Sequence, residues 1–161
     1  MRGRVPRRRR SAFVAVATIA AAAFAPSAVG AAVGDLTVVG CVVDSHGRET
    51  CDQRTRGLDK PLELALSPDG TSAYAASQLS DAVVRFNRDP ATGDLDPAGC
   101  VAAVGSATAC ARSTAGLDSA GAAAVSPDGR WLYVVGRHAL VRFKRNPVNG
   151  AISPGRLHRR A

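Results

Sequence analysis

The residues best suited to chemistry in this sequence are its four cysteines, which fall into two pairs of equal spacing. Cys41 and Cys51 stand ten residues apart, and so do Cys100 and Cys110. Zinc-binding cysteines usually form knuckles with about two to four residues between them, so this spacing predicts no metal site. Two disulfides are expected instead, but four cysteines allow three pairings and the spacing leaves these open. No cofactor is predicted.

The other ionisable and nucleophilic residues form no recognisable catalytic pattern. His46 and His138 are isolated in the sequence, and His158 lies near its end. No serine occupies a G-x-S-x-G elbow, and no glycine-rich phosphate loop occurs. The sequence therefore assigns no catalytic residue and favours a protein without enzymatic activity.

The first thirty residues have the composition of a secretory signal peptide. Six arginines lie within residues 1–10, an apolar run covers 11–25, and small residues follow. The run is shorter than the roughly twenty apolar residues of a membrane span. We predict a helical signal peptide over 1–30 with cleavage near Gly30 or Ala32, by the general or the twin-arginine export route. The protein would then be secreted or held in the cell envelope, meeting the membrane only through this peptide.

Most of the positive charge belongs to that segment. The chain has 21 Lys and Arg against 13 Asp and Glu, and removal of the six N-terminal arginines leaves 15 basic residues facing the same 13 acids. A nucleic-acid-binding protein needs its basic excess on the folded surface, so no nucleic-acid partner is predicted. Export also favours disulfides, because the compartment outside the cytoplasm is oxidising.

The strongest pattern is an internal repeat. GDLTVVGCV begins at Gly34 and GDLDPAGCV at Gly93, an offset of 59 residues that SPDG, GLD and both cysteines of each pair share. The repeats cover 34–92 and 93–149. Because the cysteines are equivalent, the repeat selects the pairing within each unit: Cys41 with Cys51 and Cys100 with Cys110.

Each repeat contains four short strands separated by Pro-to-Gly turns such as SPDG. In the first repeat we predict strands over 62–66, 72–76 and 82–87, with a fourth running into the cysteine. Alternation puts Val84 and Phe86 on one face and Val83 on the other. The predicted fold class is all-β: a partial β-propeller of two four-stranded antiparallel blades, plus an extra N-terminal strand without a partner in the chain.

Several charged residues are equivalent between the two repeats. Asp69 matches Asp128, and Arg88 matches Arg145. A single active site needs residues that differ from one repeat to the next. The equivalence therefore favours a structural role for all four.

The segments LALSPDGTSAYAAS and DAVVRFNRDPATGDL resemble the blade of secreted bacterial seven-bladed propellers of the lactonase, or 6-phosphogluconolactonase-like, family. The resemblance covers about 34–152, and it rests on turn and strand motifs, so it carries over no catalytic residue. It implies a chain reduced to about two blades: a propeller part over 31–155, followed by an aberrant basic tail over 156–161. Whether this is a genuine short protein or a truncated reading frame stays open.

Two functional hypotheses follow. The first is an exported repeat module that binds a small molecule or an envelope protein as a scaffold, or that is a non-functional fragment. The second, implied only by the resemblance, is a lactonase-like hydrolase of a sugar lactone when full length. Two blades leave two sheet faces uncovered, so self-association through these faces is a further expectation.

Overall fold

The computed structural model describes residues 36–155, which form strands and turns without a helix. The predicted signal peptide, its cleavage positions Gly30 and Ala32, and the tail 156–161 lie outside these residues. Within 36–155, accordingly, no apolar helix is long enough to cross a membrane. The strands are β1 Val42–Asp44, β2 Gln53–Thr55, β3 Pro61–Leu66, β4 Ser72–Ser77, β5 Ala82–Arg88, β6 Leu95–Ala103, β7 Arg112–Thr114, β8 Ala122–Val125, β9 Trp131–Val135, β10 Leu140–Arg145 and β11 Ile152–Pro154.

The first blade is a sheet in which β3, β4, β5 and β6 are neighbours in sequence order and antiparallel. A fifth strand, β7, joins β6 in parallel, with Val101 opposite Arg112. The sequence does not predict β7, because its three residues are polar and too few to show an alternating pattern.

The second blade contains β8, β9, β10 and β11 in the same order, again antiparallel. Trp131 lies opposite Lys144, and Ala122 lies opposite Val135. The all-β fold class and the partial propeller that the sequence predicts are confirmed at this level.

The prediction that the N-terminal strand lacks a partner is wrong. β1 pairs in parallel with β2, with Val42 opposite Gln53. This pair repeats the β6–β7 pair, in which Val101 lies opposite Arg112. In both repeats, the chain leaves one strand, loops back and adds a second strand parallel to the first, and a disulfide spans this connection.

The two blades pack face to face through a fully buried inter-blade core. Its main residues are Tyr74, Ala76 and Val83 of the first blade and Leu132, Val134 and Phe143 of the second. A second apolar cluster lies on the opposite side of the first blade and contains Val84 and Phe86. The predicted division of Val83 from Val84 and Phe86 is therefore confirmed. The innermost strands β3 and β8 lie next to each other, as neighbouring blades require.

Candidate functional site

Both disulfides join cysteines of the same repeat. Cys41 is bonded to Cys51 and Cys100 to Cys110, with Cα atoms 5.1 and 5.2 Å apart respectively. This is the pairing that the repeat predicts. Since no cysteine is free within residues 36–155, these residues offer no thiol nucleophile and no thiolate ligand.

The most deeply buried charged residue is Arg145, at the end of β10 in the second blade, with 1% exposure. Its guanidinium reaches the first blade, where Nη2 lies 3.1 Å from Asp69 Oδ2. Its Nε donates a hydrogen bond to the Tyr74 hydroxyl at 2.8 Å. A buried guanidinium must be paired and hydrogen-bonded, because removing it from water costs several kcal/mol, on the order of the energy of a strong ion pair. The buried charge of Arg145 is therefore stabilised by Asp69 and Tyr74 of the first blade.

Asp69 is held in the SPDG turn of the first blade by several hydrogen bonds. The Ser67 hydroxyl, the Thr71 amide and hydroxyl, and Arg145 all donate to its carboxylate. The Ser67 bond is the largest cause that holds the pKa of Asp69 far below its usual range, and it outweighs the opposing effect of burial. Asp69 is therefore ionised at neutral pH and acts as an acceptor, which makes it unsuitable as a general acid.

The tyrosine of this cluster completes the contact between the blades. Tyr74 is fully buried, and its hydroxyl donates to the Gly150 carbonyl of the second blade at 2.6 Å while it accepts from Arg145. Arg145 Nη1 donates to the Gly129 carbonyl at 3.0 Å within its own blade. The charged and hydroxyl groups here bind one another, and the cluster joins the two blades.

The histidines lie away from this cluster, on the surface. His46 is almost fully exposed, and its Nδ1 lies 3.2 Å from Asp44 Oδ1. Partial burial raises the pKa of Asp44, but hydrogen bonds from His46 and from the Leu58 amide outweigh it, so the net shift is downward. His138 is exposed in the turn before β10. Among the described residues, no three potential metal ligands converge.

The first blade carries a groove of about 740 Å³ on the side away from the second blade. We call this side the leading face. The apolar residues that line the groove come from the first blade and from the segment that includes β1: Val39, Val42, Leu58, Pro61, Leu62, Leu64, Ala75, Phe86 and Leu95. The charged lining residues are all carboxylates: Asp52, Glu63, Asp89, Asp94 and Asp96. An apolar groove with five carboxylates and no basic lining residue suits a partner that is both apolar and positively charged.

Most of these carboxylates already accept hydrogen bonds from nearby groups. Asp52 binds the Cys41 amide, and Asp96 binds the Gln53 side chain. Asp89 and Asp94 bind groups of their own turn. Within residues 36–155, Glu63 accepts none. The sequence does not predict the groove, because its acids belong to turns that are far apart along the chain and meet only when the sheet forms.

Two stacked sheets, antiparallel apart from β7 and joined by polar contacts between the SPDG turn of the first blade and the end of β10, have the arrangement of neighbouring blades in a β-propeller. Residues 42–112 match the model of the lactonase family, which is described as a seven-bladed β-propeller. The resemblance to this family that the sequence predicts is therefore confirmed.

Solved structures similar to this chain include an uncharacterised protein of Desulfotomaculum acetoxidans, with 19% identity and a TM-score of 0.50 over 62% of this chain and 27% of that one. This likeness concerns the fold alone. A periplasmic gluconolactonase of Pseudomonas aeruginosa has 28% identity and a TM-score of 0.47 over 58% and 25% of the two chains. A candidate 6-phosphogluconolactonase of Bacteroides uniformis has 29% identity and a TM-score of 0.47 over the same shares. The chain thus spans about a quarter of the length of these structures. No curated protein sequence matches it.

Proposed function

We propose that this chain is an exported β-propeller module that binds a partner at the cell envelope and catalyses no reaction. One observation carries the proposal: the most strongly bound polar residues, Arg145, Asp69 and Tyr74, contact one another between the blades. A catalytic acid or base must be able to exchange a proton with substrate. These groups are instead engaged in holding the blades together.

Export is supported by two independent features. The first thirty residues have the composition of a signal peptide, and all four cysteines are in disulfides, which persist in oxidising compartments. The test is cell fractionation of a C-terminally tagged chain with thiol labelling before and after reduction. We expect an exported product that lacks about thirty N-terminal residues and reacts with the label only after reduction. A full-length cytoplasmic product with reactive thiols would contradict export.

The alternative is a lactonase-like hydrolase, which the family match over residues 42–112 favours. Among the groove carboxylates of the leading face, Glu63 is the one without a hydrogen-bond donor in the described part of the chain, so it is the group best able to take a proton from water. A substitution of Glu63 therefore separates the two functions.

The experiment is a pH-stat assay of gluconolactone and related sugar lactones, with the wild-type chain and Glu63→Gln as a matched pair. On the binding proposal, both proteins leave the rate at the spontaneous level. Hydrolysis by the wild type above that level, lost in Glu63→Gln, would establish the hydrolase and overturn the proposal. Gln keeps the size of the side chain, so such a loss would not reflect a packing defect.

A further inference from the structure

The second blade also has an uncovered face, and it is the counterpart of a face that is buried in the first blade. Val135 and Leu140 are 48% and 66% exposed, whereas their repeat equivalents Ala76 and Val83 are fully buried in the inter-blade core. We call this the trailing face of the second blade; it comprises Trp131, Tyr133, Val135, Leu140 and Arg142. Within residues 36–155, no blade covers either the trailing face or the leading face of the first blade.

Each uncovered face carries one half of the ion pair that joins the two blades. Arg88 is equivalent to Arg145, and its Nη1 donates to the Gly70 carbonyl at 3.1 Å, just as Arg145 donates to Gly129. Arg145 has Asp69 of the other blade as its carboxylate partner, but Arg88 has no such partner in the described part of the chain. On the trailing side, Asp128 holds its own turn through Ser126 and the Arg130 amide, without an arginine from another blade.

The largest difference between the two repeats on these faces also fits the leading groove. Trp131 stands where the first blade has Ser72, and the Arg142 guanidinium lies over its ring at 4.6 Å from the centroid. An indole with an arginine stacked on it is apolar and positively charged. These are the two properties that the groove with its five carboxylates selects.

The strand edges are complementary as well. β10 pairs with β11 through Phe143–Arg145, and the Arg142 carbonyl accepts a hydrogen bond from the Gly155 amide at 3.2 Å. Within residues 36–155, the edge at residues 139–141 has no strand partner. In the first blade the equivalent edge of β5 pairs with residues 100–102 of β6. The repeat equivalent of that part of β6 is residues 41–43, which includes most of β1. Within residues 36–155, β1 pairs only with β2, so its other edge is open to such an addition.

We propose that the partner of this module is a second copy of the same chain, bound head to tail. The trailing face of one copy packs on the leading face of the next, Asp128 pairs with Arg88, and β1 of the second copy extends the outer edge of the second blade of the first. The contact repeats the interface that already joins the two blades. This inference rests on the proposed function as a binding module and names its partner. Because the two surfaces differ, the contact is heterologous and produces closed rings or open chains.

The test is sedimentation velocity of the purified chain, with both disulfides formed, over a wide range of protein concentration. Trp131 is the only tryptophan in the sequence, so its emission gives a second, local measurement. We expect the mass to rise with concentration and the emission to move to shorter wavelength as the groove covers the indole. A monomer at all concentrations would overturn the proposal.

Charge reversal identifies the contact. Asp128→Arg and Arg88→Asp should each weaken association at least about tenfold, because like charges then meet at the contact. The double variant should restore it, and an equimolar mixture of the two single variants should co-assemble into alternating rings or chains, because both contacts between unlike copies are then attractive. Co-assembly of the mixture also shows that the single variants fold. Association that neither single reversal weakens, or that the double variant fails to restore, would contradict the assigned contact.

An apolar pair of variants provides the control for the faces themselves. Leu140→Asp lies on the trailing face and should abolish association, whereas Val148→Asp alters a more exposed apolar residue outside both faces and should not. Equal effects of the two would refute the assignment. Lactone hydrolysis, by contrast, would overturn the proposed function and leave the sedimentation result standing, since the two measurements are independent.

Discussion

Arg145 of the second blade and Asp69 of the first form an ion pair across the boundary between the repeats, with Nη2 and Oδ2 separated by 3.1 Å. Asp69 belongs to the SPDG turn of the first repeat, and Arg145 lies immediately before the NPVNG turn at residues 146–150. Both motifs recur in each repeat, and at this boundary the turn of one blade binds the arginine of the following blade. For Asp69 and Arg145, this contact gives the structural role that their equivalence between repeats predicts.

Loss of Arg145 should be much more destabilising than loss of its equivalent Arg88. Arg145→Leu removes a buried cation with its hydrogen bonds to Asp69, Tyr74 and Gly129, which should lower the free energy of unfolding by about 2–3 kcal/mol, since Asp69 is partly exposed and keeps its other donors. Arg88→Leu removes one hydrogen bond to Gly70 at a partly exposed site, which should cost about 1 kcal/mol. Urea unfolding followed by Trp131 fluorescence, at low protein concentration, compares them. Equal effects would mean that Arg145 does not join the blades.

The two equivalent tyrosines offer a second matched comparison. Tyr74→Phe removes a hydroxyl that donates to Gly150 and accepts from Arg145, and it should destabilise the chain by about 1–3 kcal/mol because buried partners stay unpaired. Tyr133→Phe removes a half-buried hydroxyl that makes no hydrogen bond within residues 36–155, so its effect should be near zero. Thermal unfolding monitored by circular dichroism would show a lower midpoint for Tyr74→Phe alone.

The ionisation of Asp69 should make stability depend on pH in acid. Its pKa is lower in the folded chain than in the unfolded one, so its contribution is complete above the unfolded value near 3.8 and is lost as the pH falls towards the folded value. The stability difference between the wild type and Asp69→Asn should therefore shrink as the solution is acidified below about pH 4. Asp128→Asn is the control.

Asp128 is exposed and has no arginine partner within residues 36–155, although the Ser126 hydrogen bond also lowers its pKa. Its removal should change the acid dependence less than removal of Asp69 does. Unfolding curves measured at a series of pH values, at low protein concentration, give both differences. A gap between wild type and Asp69→Asn that stays constant down to strong acid would contradict the assigned linkage.

Much of this fold can be predicted from the sequence because the repeat supplies the same information twice. The common offset of turns and cysteines gives the disulfide pairing, and the alternation around Val83 and Phe86 gives the two faces of β5. The sequence does not predict the parallel strands β2 and β7, because each has only three residues and these are polar. Each pairs with the strand before it across a loop that a disulfide spans, and a local pattern does not contain that pairing.

The polar contacts between blades are beyond what local patterns can predict. Equivalence between the repeats shows that Asp69 and Arg145 are structural, but it does not show that they meet, since they are 76 residues apart in sequence. The leading groove depends in the same way on a stacked sheet that brings distant turns together. Contacts of this kind follow from how one blade is positioned on the next, which is a property of the assembled fold.

The close approach of the blades at Gly150 gives the last prediction. Gly150 has φ 67° and Gly93 has φ 86°, which is the left-handed region. Substitution of either by Ala should therefore lower the free energy of unfolding by about 1–2 kcal/mol. At Gly150 a Cβ would also overlap the Ser72 hydroxyl and lie 3.0 Å from Ser72 Cβ in the other blade, whereas at Gly93 the nearest atom is 3.7 Å away. Gly150→Ala should therefore cost a further ~1–3 kcal/mol, as overpacking usually does.

The matched pair separates backbone strain from the contact between the blades. Both variants share the strain, so the difference in their free energies of unfolding measures how tightly the second blade rests on Ser72. Combining each with Ser72→Gly refines the test: the smaller side chain should recover part of the loss in Gly150→Ala and none in Gly93→Ala. Equal losses in the two single variants would mean that the blades yield at this point without cost, and that the buried cluster around Arg145 tolerates their separation.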